Sequence, residues 1–363
     1  MAYFRNTAVN LVNLHYAIHA VALYGGGAFY FVFLLKAGVP LPLVVGSLAL
    51  ILAGRFIIRP SIVPLAVRFG LRPLLIVGTL FCALQFPLLA EVDGVGPMLL
   101  VFLLVSAVGD PEHRGHQLGA REAAVALVSI VSPLATGWAL VTFGARAAFG
   151  VAAAFQVIAA VPLFWAPDIK VERHVPGAFK AALPGVALFF ADGWVAIGYV
   201  VVWQLGLFFT LGEDFVDYGG ALAIAALVGA VGGLVLGRSI DSGGGGRAVW
   251  LALSGFAAVI LFRAAVLDQP ALAVVANALG ALVMCLYAPT LMTAVYNTSK
   301  SAPCTLRFHV AAEGGWDAGG TLSCLIAATM IHFGAPLPVV ILLALAGVAA
   351  SFVLLRKYYA VKS

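Results

Sequence analysis

Long apolar stretches alternate with short polar ones along the whole chain. Most of the apolar stretches reach the ~20 residues that a helix needs to cross a bilayer, and charges and prolines separate them. The pattern therefore predicts an all-α polytopic membrane protein with twelve transmembrane helices. The predicted spans are residues 11–35, 41–58, 73–90, 97–113, 122–143, 146–165, 184–210, 219–238, 248–267, 271–296, 310–332 and 336–355.

The composition agrees with this pattern. Hydrophobic residues make up 63% of the chain and charged residues 10%, whereas soluble domains have about 45–50% apolar and about 25% charged residues. The first apolar run is too long for the core of a signal peptide, so we expect it to be retained as a span. The four cysteines show no paired spacing, and we expect neither a cofactor nor a metal.

Basic residues collect on one side of the predicted membrane. If the N-terminus is cytoplasmic, all but three of the 20 Lys and Arg residues lie at the cytoplasmic side, and the exceptions are Lys36, Arg146 and Arg263. This asymmetry predicts two cytoplasmic termini in an integral protein of a bacterial inner or plasma membrane. The asymmetry also accounts for the basic pI, so we expect no nucleic-acid partner. We expect the lipid bilayer as partner and a monomeric protein.

Two short loops repeat between the halves of the chain. The loop at residues 64–72 contains Arg68, Gly70 and Arg72 but has Val67 at its fourth position, and the loop at residues 237–247 contains Gly237, Asp241, Gly244 and Arg247. A polar connection lies between the halves at the midpoint. We therefore expect an N-terminal six-helix bundle at 1–166, a cytoplasmic linker at 167–183 and a C-terminal six-helix bundle at 184–363.

With these loops the chain resembles the major facilitator superfamily, whose twelve helices form two six-helix repeats. Val67 departs from the aspartate that the family usually has in the first loop. The resemblance implies a secondary transporter in which helices 1, 4, 7 and 10 line a central cavity. It also implies a cytoplasmic gate, for which the candidates are Arg68, Arg72, Arg121, Glu122, Arg238, Asp241 and Arg247.

The fourth span is unusually short. Its apolar part covers only Pro97 to Gly109, less than a span needs. The distance between the repeats also grows from 174 residues (Val67 to Asp241) to 193 (His116 to His309), so the first half lacks 19 residues there. Either the polar segment 110–117 completes a half-span, or the chain carries a deletion, and the sequence leaves both open.

The eleventh span carries the costliest polar residues. His309, Glu313, Asp317 and Thr321 follow each other at four-residue spacing and form one stripe on a helix. Each carboxyl costs roughly 2.5–3.5 kcal/mol if it faces lipid, so both must face protein or water. As a pair one turn apart they can share and exchange a proton. The alternative is an ion pair with Arg55, Arg121 or Arg307 that fixes helix packing.

The opposite face of the same span carries Gly315 and Gly319. A small residue at every fourth position allows a neighbouring helix to approach closely.

Other polar residues in the predicted spans mark a candidate cavity. Asp192 is either a protonatable or cation-binding site or an interfacial acid. His15 and His19, one turn apart, suit a metal or a proton relay, or simply form hydrogen bonds. Arg55 is interpreted mainly as a side chain that snorkels to the interface. The candidates for contact with substrate are His15, His19, Tyr24, Tyr199, Trp203, Asn277, Tyr287, Thr290 and Trp316.

The leading hypothesis is a secondary active transporter of a small molecule, working by alternating access and coupled to protons through Glu313, Asp317 and Asp192. Acids and aromatic rings together favour an organic cation or an amphipathic drug as substrate. The alternative is a non-transporting receptor or scaffold, for which the short fourth span argues. An intramembrane metal enzyme is a third hypothesis, but no H-E-x-x-H motif is present. We therefore expect no enzyme and no catalytic residue.

The charge pattern makes a testable statement about topology. Single cysteines introduced near Lys170 should react with an impermeant maleimide only from the cytoplasmic side, and cysteines in the loop 213–217 only from outside. The control is a cysteine-free background with intact vesicles. External labelling near Lys170 would contradict the assigned orientation.

Overall fold

A computed structural model describes residues 7–109, 120–169, 171–240 and 245–360 of the chain. Within these ranges the chain is almost entirely helical and contains no β-strand. Successive helices are joined by short turns. The all-α architecture that the sequence predicts is confirmed for these residues.

Twelve helical segments follow each other in the described parts of the chain. They are α1 (Thr7–Lys36), α2 (Leu41–Phe69), α3 (Leu71–Ala90), α4 (Pro97–Val108), α5 (Ala120–Thr142), α6 (Gly144–Trp165), α7 (Ala178–Thr210), α8 (Phe215–Ile240), α9 (Gly245–Val266), α10 (Pro270–Lys300), α11 (Thr305–His332) and α12 (Leu337–Ala360). Ten of them are long and apolar enough to cross a membrane over their described residues. The other two are α4, which is too short, and α11, which is long but more polar.

The shortness of α4 is confirmed. It has 12 residues, whereas α10 has 31. At 1.5 Å per residue α4 is about 18 Å long, less than the ~30 Å hydrocarbon core of a bilayer. The helix ends where Gly109 lies against α3, so close that a Cβ there would be 2.8 Å from the backbone nitrogen of Cys82. The segment 110–117, which would complete a half-span, lies outside the described residues.

The chain forms two compact units whose limits depart from a simple division into halves. The first unit contains the chain up to Pro40 together with Ile57–His174 and Phe215–Ala223. The second contains Leu41–Phe56, Val175–Asp214 and the chain from Ile224 onward. The first part of α2 therefore packs with helices of the second half, and the start of α8 with helices of the first. The boundaries expected at 166 and 184 stay a prediction.

In the first unit, α1 is interrupted at its run of three glycines. The α-helix stops at Tyr24, a 3₁₀ turn covers Gly26–Phe29, and a short α-helix continues to Lys36. A Cβ on Gly26 would be only 2.5 Å from the ring of Phe86. The run is thus a bend at which α1 packs closely against α3.

In the second unit, irregular turns of two helices meet. Helix α7 contains a π-helical turn at Ile197–Val202, and α12 is interrupted between Ile341 and Ala344. Gly198 lies in the π turn, and a Cβ there would be 2.7 Å from the carbonyl oxygen of Ile341. The carbonyl of Leu343, in the interruption of α12, accepts the backbone N–H of Ala346 and also a 2.8 Å hydrogen bond from the indole N–H of Trp194. The irregular turns of α7 and α12 are therefore in direct contact, and a side chain of α7 bonds to the interruption of α12.

Helices α7 and α11 touch backbone to backbone. A Cβ on Gly315 would collide with the carbonyl oxygen of Val186, and a Cβ on Gly319 with that of Phe190. The contact is reciprocal, because a Cβ on Gly193 of α7 would collide with the backbone of Trp316. The close-packing face predicted for the eleventh span is confirmed, and α7 is the helix that packs on it.

This contact predicts a strong effect of one methyl group. Replacing Gly319 by Ala should lower the melting temperature in detergent, because it forces apart two packed backbones at a cost of about 1–3 kcal/mol. The matched control is Gly46→Ala in α2, where a Cβ meets nothing within 4 Å. The control should be neutral or stabilising by up to about 1 kcal/mol. Equal melting temperatures of the two variants would contradict the close contact.

Candidate functional site

The carboxylate of Asp192 in α7 is held by two aromatic donors. The hydroxyl of Tyr287 in α10 donates to Asp192 Oδ1 at 2.9 Å, and the indole N–H of Trp316 in α11 donates to Oδ2 at 3.2 Å. Asp192 is half-buried and Tyr287 is buried. The backbone contact between Gly193 and Trp316 explains the second bond, since it places the indole beside the carboxylate.

The carboxylate of Asp317 in α11 is completely buried and paired with an arginine. Arg55 Nε lies 3.4 Å from Asp317 Oδ1, and the Arg55 side chain is 17% exposed. Of the alternatives that the sequence leaves open for the acids of α11, the ion pair with Arg55 is present. The interpretation of Arg55 as a snorkelling side chain is wrong, because the acid draws it into the unit.

Trp316 links these two carboxylates. Its N–H bonds to Asp192, while the guanidinium of Arg55 lies 5.9 Å from the centre of its ring. A buried carboxylate is tolerated only when charge and hydrogen bonds compensate it. Arg55, Asp317, Trp316, Asp192 and Tyr287 therefore form a continuous polar cluster inside the second unit, which we call the α7–α11 cluster.

Other residues of the predicted α11 stripe lie in different surroundings. Glu313 is half-buried one turn before the fully buried Asp317. Thr321 uses its hydroxyl to bond the backbone carbonyl of Asp317 at 2.7 Å, and His309 stands edge-on to Tyr296 with ring centres 6.3 Å apart. The sharing of one proton by Glu313 and Asp317 stays a prediction.

Three of the predicted cavity residues lie in a buried cluster with an arginine, which two of them contact directly. Tyr199 and Trp203 of α7 and Asn277 of α10 are all buried. The indole N–H of Trp203 donates to Asn277 Oδ1 at 3.0 Å. The guanidinium carbon of Arg263 lies 4.1 Å from the ring centre of Tyr199 and 4.6 Å from that of Trp203. Arg263 and these two rings form a packed cation–π cluster. A substrate could contact Tyr199, Trp203 or Asn277 only if this cluster opened.

The sequence pattern assigns Arg263 to the external side as one of three exceptional charges, but the structure buries it to 3% exposure. One signal in the sequence does point to it. Arg263 lies inside the predicted span 248–267, and an arginine within an apolar span is expected to have a partner or a function.

The histidine pair belongs to the first unit and faces α6. His15 Nδ1 lies 2.7 Å from the carbonyl oxygen of Ala159, and His19 Nδ1 lies 2.9 Å from Gln156 Oε1. The two rings stack 6.0 Å apart. Among the described residues, no group of three His, Cys, Asp or Glu side chains could hold a metal ion. The structure thus supports hydrogen bonding between helices for this pair.

The remaining cavity candidates are dispersed. Tyr24 is half-buried and ends the first part of α1. Thr290 is buried in α10, where its hydroxyl bonds the carbonyl of Leu286 at 2.7 Å and its own carbonyl accepts a 3.0 Å bond from Tyr359. Neither joins the α7–α11 cluster through these bonds.

The gate candidates are described only in part. Arg68 and Arg247 are exposed, and Arg68 lies 5.0 Å from the ring of Phe69. The backbone N–H of Arg72 donates to Asp168 Oδ1 at 3.0 Å. Since Arg72 is in the first turn of α3, Asp168 caps this helix from the end of α6. Asp241 and the side chains of Arg121, Glu122 and Arg238 lie outside the described residues.

Comparison with known proteins finds likeness in structure alone. No protein-family model and no curated protein matches the sequence. Among solved structures, the POT family transporter PepTSo superposes with a TM-score of 0.69 at 12% identity, covering 97% of this chain and 98% of that one. The chain has a transporter fold of the major facilitator type.

Two further solved structures support this assignment of fold. A proton dependent oligopeptide (POT) family transporter gives a TM-score of 0.71 at 12% identity, over 95% of this chain and 100% of that chain. An auto inhibited POT family peptide transporter gives 0.65 at 14% identity, over 99% and 97%. At such identities the likeness establishes the fold and not the substrate.

The ion pair can be tested thermodynamically. Asp317→Asn or Arg55→Gln alone should destabilise the protein by about 3 kcal/mol, because each leaves an uncompensated buried charge. The double variant should be more stable than the sum of the two single effects predicts, which a double-mutant cycle of melting temperatures measures. The control is Glu91→Gln, which removes an exposed partner of Arg146 and should hardly change melting. Additive effects at Arg55 and Asp317 would contradict a direct interaction.

Proposed function

We propose that the protein is a proton-coupled secondary active transporter that moves a small molecule by alternating access. The fold and the ten membrane-capable helices support a transporter. Proton coupling is supported by the Arg55–Asp317 ion pair. The pair joins two membrane helices, and its strength depends on the charge of the Asp317 carboxylate. Asp317 is the leading site of protonation, with Glu313 and Asp192 as further candidates.

The pair suggests how proton binding would drive movement. Protonation of Asp317 removes the charge that attracts Arg55, while the packing of Leu52 against Gly320 remains. Proton binding therefore loosens the attachment of the segment Leu41–Phe56 to α11. A ligand shifts a conformational equilibrium by its difference in affinity for the two states, and the proton is such a ligand here.

Asp192 is proposed as the anchor for substrate. The half-buried carboxylate of Asp192, held by the Tyr287 hydroxyl and the Trp316 indole N–H, suits a protonated amine or a quaternary ammonium group, which it attracts by charge. Organic cations and amphipathic drugs carry this group, and so do the peptides named for the structural neighbours. We therefore propose a small substrate with a cationic nitrogen, either a protonated amine or a quaternary ammonium group, and a melting-temperature screen of amines, quaternary ammonium ions, dipeptides and anions tests this class.

The alternative, a receptor or scaffold that does not transport, is favoured by one observation. Helix α4 has only 12 residues, and in the major facilitator fold this helix lines the cavity. A protein of this kind would bind a ligand without accumulating it, so transport measurements separate the two functions.

Reconstituted protein provides the test. In liposomes with an imposed pH gradient, the wild type should accumulate radiolabelled tetraethylammonium or dialanine. Asp317→Asn should reduce this accumulation at least tenfold per folded molecule, while exchange of the same probe without a gradient falls less. Glu313→Gln and Asp192→Asn are measured beside it, and we expect Asp192→Asn to weaken both processes because substrate loses its anchor.

A carboxylate outside the spans serves as the control for the uptake measurement. Glu91 follows α3 and accepts two hydrogen bonds from Arg146, which hold its pKa below the ordinary value. Glu91→Gln should leave uptake unchanged. Full gradient-driven accumulation by the Asp317→Asn, Glu313→Gln double variant would exclude the proposed coupling. Binding without accumulation by the wild type would favour the receptor.

A further inference from the structure

The π-helical turn of α7 changes the pairing of one backbone carbonyl. In a regular α-helix the carbonyl of Tyr199 would accept the N–H of Trp203, four residues later. In this turn the N–H of Trp203 instead bonds to the carbonyl of Val200. The carbonyl of Tyr199 therefore does not receive this N–H and can accept a donor from a side chain.

Arg263 of α9 supplies that donor. Its Nη1 donates to the carbonyl oxygen of Tyr199 at 2.6 Å, and its Nε lies 3.4 Å from the carbonyl oxygen of Ala276 in α10. The guanidinium occupies the space that a Cβ on Gly280 would need, so α10 has a glycine where the arginine passes. The hydroxyl of Tyr199 in turn donates to the carbonyl of Gly280 at 2.8 Å. Arg263 thus joins the π turn of α7 to one turn of α10.

A line of aromatic rings continues from this point to the carboxylate of Asp192. Phe256 lies two turns before Arg263 on α9. Its ring centre is 4.3 Å from that of Tyr199 and 4.6 Å from that of Tyr287. Tyr287 then donates to Asp192. Since packed rings have few alternative positions, a shift of the π turn should change the position of the Tyr287 hydroxyl.

We propose that Arg263 is a positioning residue for the substrate anchor. It holds the π turn of α7 and, through Tyr199 and Phe256, sets Tyr287 against Asp192. The inference rests on the proposed function in one respect, namely that Asp192 binds substrate. Its structural part stands apart from transport. π-helical turns are rare and occur frequently at functional sites, so a turn bonded to one arginine is a point where the geometry of this site is controlled.

Hydrogen exchange on the purified protein tests the structural part without any ligand. In Arg263→Gln, amides of residues 197–204 should exchange about tenfold faster, because the turn loses a charged hydrogen bond. Faster exchange should extend to residues 188–196 and 284–290 but not to residues 313–321. Arg263→Lys, which can keep one bond to the Tyr199 carbonyl, should give a smaller change. The control Arg356→Gln removes an exposed arginine of the same unit and should change none of these segments.

Uptake measurements test the functional part. For the probe that the wild type accumulates, Arg263→Gln should raise KM about tenfold and change the maximal rate per folded molecule less than twofold. Arg263→Lys should restore part of the affinity. Phe256→Leu should raise KM as well, while exchange at residues 197–204 stays at the wild-type rate, because it breaks the line of rings and leaves the arginine in place.

The contradicting outcomes are distinct. Unchanged exchange at residues 197–204 in Arg263→Gln, or uniformly faster exchange throughout the second unit, would overturn the positioning role. If the wild type transports a probe and Arg263→Gln has the same KM for that probe, the link between Arg263 and Asp192 is overturned. A wild type that accumulates neither probe contradicts the proposed function, and exchange data then decide on Arg263 alone.

Discussion

The backbone contact between α7 and α11 is the constraint on which the candidate site depends. Gly193, Gly315 and Gly319 have no Cβ at three points where the backbones of the two helices touch. Only at that distance can the indole of Trp316 reach the carboxylate of Asp192 across the interface. The same contact directs Asp317 away from lipid toward Arg55. In a membrane such packing supplies much of the association energy, since lipid offers helices no hydrophobic incentive to associate.

A half-buried arginine, Arg55, and a buried one, Arg263, show two ways in which the second unit tolerates charge. Arg55 is paired with a carboxylate, so its environment changes whenever Asp317 gains or loses a proton. Arg263 is compensated by backbone carbonyls and aromatic faces, none of which titrates near neutral pH. The first arrangement is suited to switching and the second to fixing geometry. This difference in chemistry is the reason for assigning coupling to one arginine and positioning to the other.

Departures from regular helix occur around the α7–α11 cluster. The π turn at Ile197–Val202 begins five residues after Asp192, and the interruption of α12 receives the indole N–H of Trp194. At each departure a backbone carbonyl accepts a hydrogen bond from a side chain of a neighbouring helix. Regular helices satisfy their own backbone and need no such neighbours. Irregular turns therefore tie α7 to α9, α10 and α12, and these ties make the surroundings of Asp192 specific to this packing.

The sequence by itself determined the helices and several of their local properties. Apolar runs predicted the helical segments of the described residues, among them the short α4 and the polar α11, because burial of backbone in lipid permits little else. The glycine spacing of α11 predicted close packing, and the acids at 192 and 317 were recognised by their cost in an apolar span. Only the tertiary structure decided partners: Arg55 for Asp317, Tyr287 and Trp316 for Asp192, and Tyr199 for Arg263. Periodicity within one helix records which face is polar, but it contains no information about which distant helix that face will meet.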